Sequence, residues 1–98
     1  MEIKTISENT TLTIQVIGRL DTTSAPELEA VVMEKTPGVT ELIFDLEKLE
    51  YSSSAGLRVF LKAQKLMNRQ GSMKLLHVSE PIMEVFEVTG FTDILSIE

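Results

Sequence analysis

The 98-residue chain predicts an α/β fold, a mixed and mostly parallel β-sheet of four to five strands with three to four helices packed on it. Three features carry this reading. The chain opens on two strand-like segments around a polar turn, "ELIFDL" and "MKLLHV" are short apolar runs too brief for helices, and amphipathic stretches with helix punctuation fall between these segments.

Taken in order, "TLTIQVIG" alternates Leu12, Ile14 and Val16 with Thr and Gln, the period-two pattern of a half-buried strand. "EIKTIS" is a weaker strand before it, and the turn "ENTT" makes the two an antiparallel hairpin. In "TTSAPELEAVVMEKTPG", Ser24 is a cap with Glu27 three residues on, Pro26 stands in the first turn and Pro37-Gly38 is a stop. Leu28, Val31 and Val32 form the apolar stripe of that helix. "ELIFDL" reads as a strand covered on both faces. From Ser54 to about Arg69, the residues Leu57, Phe60, Leu61, Ala63 and Met67 keep helical spacing until Gly71. "MKLLHV" is a second buried strand. Ser79 caps a third helix with Pro81 in its first turn and Ile82, Val85 and Phe86 inward, ending at Gly90, and "DILSI" is an edge strand. The expected order is β-β-α-β-α-β-α-β with right-handed crossovers between parallel strands.

Length implies one small domain over residues 1–98, with little room for an enclosed active site. No cysteine is present, which excludes a disulfide scaffold, a thiolate metal site and a Cys nucleophile. The start "MEIKTISENT" is neither a signal peptide nor a membrane span, so a soluble, cytoplasmic protein with no membrane partner is expected. Net charge is −6, unevenly distributed. The stretch Tyr51–Ser79 holds no acid and five basic residues, Arg58, Lys62, Lys65, Arg69 and Lys74, whereas the rest holds four basic residues against fifteen acids. Overall acidity argues against general nucleic-acid binding.

The stretch "YSSSAGLR" at positions 51 to 58 raises the question of function, because its three serines stand on a strand-to-helix turn. One reading is helix capping, for which a single serine suffices. A second is a hydrolase elbow, since Ser52-x-Ser54-x-Gly56 imitates G-x-S-x-G. That reading lacks the first glycine, and the only histidine is His77 inside an apolar strand, which leaves a small serine esterase as a remote alternative. A third is a phosphorylation site, because a helix N-terminus tolerates a phosphate and the added charge can switch a docking surface off.

"LIFDLEKLEYSSSAGLRVFLKAQK" resembles the anti-sigma factor antagonists, the single-domain members of the STAS superfamily. "GRLDTTSAPEL" is similar to that family's turn before the first helix and "PIMEVFEVTGF" to its last helix and Gly-Phe turn, so the resemblance covers nearly the whole chain. It implies the STAS fold and a phosphoacceptor at Ser54, in a partner-binding loop of Ser53, Ser54, Ala55, Gly56 and Leu57. Ser53 falls where many relatives have Asp, and Ser52 at a position that is commonly hydrophobic. The resemblance further implies partner switching. The unmodified protein binds an anti-sigma factor that is also an ATP-dependent serine kinase, phosphorylation of Ser54 ends the complex, and a PP2C-type phosphatase restores it. The protein itself would be no enzyme, would need no metal or cofactor, and would be a monomer or weak dimer. An alternative within the fold is a STAS subunit of a stressosome or a lipid-transport assembly.

Asp21 matches a family position beside the phosphorylation site, which implies a part in the kinase interface; its other reading is a turn or cap carboxylate. Asp45 reads as structural, hydrogen-bonding the loop that presents the serines. Arg58, Lys62, Lys65 and Arg69 share one helical face next to Ser54, which makes the face either a solvated surface or a docking surface for the kinase.

Overall fold

The computed structural model describes residues 1–98. The hairpin forms as its alternation requires: β1 (Glu2–Glu8) runs antiparallel to β2 (Thr11–Leu20), with Ile3 opposite Val16 and Ile6 opposite Thr13. Asn9 turns the chain at φ 57°, a left-handed conformation that asparagine tolerates better than most residues. Then follow α1 (Ala25–Lys35), β3 (Glu41–Asp45), β4 (Leu49–Ser52), α2 (Ser54–Met67), β5 (Ser72–Leu76), α3 (Glu80–Thr89) and a 3₁₀ turn (Phe91–Asp93). The sheet order is β1-β2-β3-β5, with β3 parallel to both β2 and β5. This is three helices on a five-stranded mixed sheet, the predicted class.

Strand β4 is absent from the sequence-based order. It pairs in parallel with Gly18–Leu20, the part of β2 that runs past the end of β3, through a register shift at Gly18/Arg19. The expected last strand reduces to one parallel bridge from Ile97 to Leu75, preceded by the 3₁₀ turn. Its place at the sheet edge is as expected; its length is not.

The helices cover a single face. Leu12, Ile14, Val16, Leu42, Phe44, Met73 and Leu75 point into the core, whereas Thr13, Gln15, Glu41, Ile43, Asp45 and Lys74 on the other face are only half-buried. Expectation and structure therefore differ for β3, which is covered on one side. Ile43 made it look apolar throughout. Three rings from three elements fill the centre: Phe60 of α2 meets Phe44 of β3 edge-on at 5.0 Å and Phe86 of α3 at 6.1 Å. Leu57, Ala63 and Met67 complete the buried stripe of α2, and Leu61 is half-buried at its side. In α1, Leu28 and Val32 are buried and Val31 is half-buried.

Gly71 ends the α2 region for a steric reason. A Cβ there would lie 1.9 Å from the Thr40 carbonyl oxygen, which accepts the Ser72 N–H as β5 begins. Gly90 closes α3 in the left-handed conformation at φ 79°, the usual role of glycine at a helix end.

Candidate functional site

Two strand-to-helix turns build the site, β2 to α1 and β4 to α2. They lie side by side because Leu20 pairs with Ser52 and the Ser53 N–H donates to the Leu20 carbonyl at 2.8 Å. In the first turn Asp21 Oδ1 accepts from the Thr23 N–H at 3.0 Å, the Thr23 hydroxyl at 2.7 Å and the Ser24 N–H at 3.1 Å. The Thr23 hydroxyl and the Ser24 N–H are foremost in holding the carboxyl down to a pKa of about 2. Asp21 is thus an ionised turn carboxylate. Ser24 occupies the N-cap position of α1 but makes no side-chain cap bond; its hydroxyl accepts from the Asp21 N–H at 2.9 Å and lies 3.1 Å from the Arg19 carbonyl. The acid three residues earlier has displaced the expected capping box. Ser79 likewise stands at the N-cap of α3 without a side-chain bond.

In the second turn the three serines divide the work. Ser52 is buried at the end of β4, where its hydroxyl donates to the Ser53 carbonyl at 3.2 Å. Ser53 is the N-cap of α2, its Oγ accepting from the Gly56 N–H at 3.3 Å. Ser54 is the first residue of α2 and is exposed. The first turn of α2 contains no acid, so a negative group there meets the positive end of the helix dipole. Ala55 is half-buried, while Gly56 and Leu57 are interior. A side chain at 56 would collide with Leu20 and Ser52, and Leu57 is 1% exposed, so these two support the loop and do not present side chains to a partner.

Arg58, Lys62, Lys65 and Arg69 are all exposed on one face, as their spacing predicts. Lys62 is not free: its Nζ lies 2.9 Å from Glu29 Oε1 on α1. Glu29 has no signal in the sequence, since only the packing of α1 on α2 brings it there. The Arg19–Tyr51 pair was equally illegible. These residues face each other across β2 and β4, with the guanidinium 4.3 Å over the exposed ring.

His77 and Asp45 lie elsewhere than expected. His77 follows β5, exposed and at φ 58°, and its Nδ1 is 3.0 Å from Asp45 Oδ1. Asp45 also accepts from the Glu47 N–H at 3.1 Å, so it organises the β3–β4 connection and not the serine loop. Ser54, the serine at the nucleophile position of the elbow, makes no hydrogen bond to His77, and neither do Ser52 and Ser53, which bond within their own turn, so the structure holds no Ser–His pair for ester hydrolysis. Asp45, Glu47 and His77 place ligand atoms within 4.8 Å of one another, the one arrangement here with the donor types of a metal site.

The His77–Asp45 contact makes stability depend on pH. The hydrogen bond that the His77 ring donates to Asp45, followed by the charge of that carboxylate, raises His77 above 6.5; partial burial acts to raise Asp45, but the bonds from His77 and Glu47 outweigh it and bring it below 3.8. The histidine's contribution is complete below 6.5 and is lost as pH rises through its raised value, whereas that of Asp45 is present above 3.8 and is lost as pH falls through its lowered value. Urea denaturation from pH 5 to 8 is expected to show a decline that His77→Gln removes. The same decline in the variant would assign it to other groups.

The chain is 30% identical over 99 residues to the anti-sigma-B factor antagonist of Staphylococcus aureus, covering 99% of this chain and 92% of that protein. It is 33% identical over 85 residues to the anti-sigma-B factor antagonist of Bacillus subtilis, covering 86% of this chain and 78% of that one. In fold it is similar to the Bacillus cell fate determinant SpoIIAA in its phosphorylated form, with a TM-score of 0.74 at 20% identity over 99% of this chain and 91% of that chain. The family profile described as "STAS domain" matches residues 2–98, and the chain belongs to the STAS domain family.

Proposed function

We propose that this protein is an anti-sigma factor antagonist that works by partner switching in the cytoplasm. Unmodified, it binds an anti-sigma factor that is also a serine kinase, and so releases the sigma factor. The kinase phosphorylates Ser54 and the complex dissociates; a PP2C-type phosphatase reverses the modification. The protein is a regulatory binding partner in this cycle, and ATP chemistry belongs to the kinase. The names of the two relatives support the class, and no helix is long and apolar enough to cross a membrane.

The observation that carries the phosphorylation step is the division of labour among the serines. Ser52 is buried and Ser53 caps α2, which leaves Ser54 as the exposed hydroxyl, beside first-turn N–H groups. A phosphate there adds roughly −1.5 to −2 charge at one surface point. Interior packing has no need to change, so the switch alters recognition while the fold persists.

The test is to incubate the protein with its kinase and ATP and to map the product by mass spectrometry. A single phosphate on Ser54, absent from Ser54→Ala, is expected. Phosphate on Ser52 or Ser53 in Ser54→Ala would overturn the assignment.

A further inference from the structure

A groove of about 210 Å³ runs between the N-terminal halves of α1 and α2, beginning beside Ala55 and so next to Ser54. Ala25, Pro26 and Val59 give it an apolar lining, Arg58 and Lys62 supply cations, and Glu29 is its one acid. The Glu29–Lys62 ion pair at 2.9 Å joins its two walls. We propose that this groove receives an acidic segment of the kinase, and that Glu29 is a built-in competitor which the partner's carboxylate must displace from Lys62. The inference rests on the reading that the kinase docks at the Ser54 surface, and it adds the chemistry of the contact: an apolar side chain against the lining and a carboxylate on Arg58 and Lys62.

Charge complementarity selects this occupant. The stretch from Tyr51 to Ser79 contains no acid, so the only charges on the α2 wall are cations and the one neutralising group comes from α1. Both partners of the ion pair are well exposed, at 65% and 41% of their side-chain surface, so the pair is weak and exchangeable. A carboxylate arriving with apolar contacts and a second cation at Arg58 outcompetes one that has neither advantage. Glu29 then lowers the affinity of the complex and keeps its lifetime short.

Kinase affinity and dissociation rate, measured for Glu29→Gln against Glu27→Gln, test this. Glu27 is exposed in the first turn of α1 and does not line the groove, so its variant reports the general effect of removing one negative charge. Glu29→Gln is expected to bind up to about fivefold more tightly through slower dissociation, the range that an exposed ion pair allows. Glu27→Gln should change mainly association. Lys62→Met should weaken binding and abolish the gain from Glu29→Gln, which makes the two substitutions non-additive. Circular dichroism establishes that each variant is folded. Equal effects of the two glutamine variants, with wild type still bound and phosphorylated, would overturn the competitor and leave the proposed function standing. No binding by wild type would overturn both.

Discussion

Phe60→Ala is expected to destabilise the fold by about 3–5 kcal/mol, the range for removing a large buried aromatic. The ring is fully buried and lies between Phe44 and Phe86 at centroid distances of 5.0 and 6.1 Å, so its loss opens a cavity where α2, β3 and α3 meet. Few groups can collapse into that space. Phe44 is fixed by the β3 ladder, and Phe86 by a helix that ends in a left-handed cap. For a chain of this size each kcal/mol lowers the melting temperature by roughly 4–8 °C, so a fall of more than about 12 °C is expected in calorimetry. Because α2 carries Ser54 at one end and Phe60 in its second turn, the variant should also lose kinase binding once the temperature passes its lowered transition. A cost under about 1 kcal/mol would mean that the three-ring contact is dispensable and that α2 is held by its other buried residues.

Much of the architecture was legible because it depends on local patterns. The alternation from Leu12 to Val16 gave β2, the spacing of Leu57, Phe60, Ala63 and Met67 gave α2, and the serine turn was placed where the structure has it. The errors share a cause: tertiary neighbours decided what local chemistry left open. Ile43 made β3 look buried on both sides, although its face of the sheet carries no helix. Strand β4 was hidden because Glu47, Lys48 and Glu50 read as a loop, and its pairing exists only through the irregular end of β2. Ser24 is a favourable cap residue, but its hydroxyl is held in the preceding turn by the Asp21 N–H, the Asp21 carboxylate and the Arg19 carbonyl, and the Glu27 N–H bonds the Ser24 carbonyl instead. At the site itself, the resemblance singled out Ser54 among the three serines, and the structure sets the other two apart by burying Ser52 and using Ser53 as the cap of α2. Glu29 lay beyond any pattern. Its contact spans 33 positions and follows from helix packing alone.

Gly56→Ala is the second large effect expected, and it links the fold to the switch. A Cβ at this position would lie 2.6 Å from Leu20 Cγ, 2.7 Å from Ser52 Oγ and 2.8 Å from Leu20 Cδ2. Neither neighbour can yield freely, since Leu20 is fully buried and the Ser52 hydroxyl is bonded to the Ser53 carbonyl. Replacing a helical glycine by alanine would by itself favour the helix by roughly 0.5–1 kcal/mol. Overpacking of about 1–3 kcal/mol acts against that gain. The net expectation is a loss of roughly 1–2 kcal/mol in urea denaturation. Relief comes most directly if the first turn of α2 lifts away from β2 and β4, which stretches the Gly56 N–H to Ser53 Oγ bond beyond its 3.3 Å and moves Ser54 with it. Gly56→Ala should therefore retain an intact Ser54 and yet be phosphorylated more slowly, whereas Gln64, in the middle of the same helix and bonded to Asn68, can be changed to Ala without that loss of rate. Wild-type stability together with a wild-type phosphorylation rate in Gly56→Ala would show that the turn accommodates a side chain and that the close approach of α2 to Leu20 does not position the acceptor.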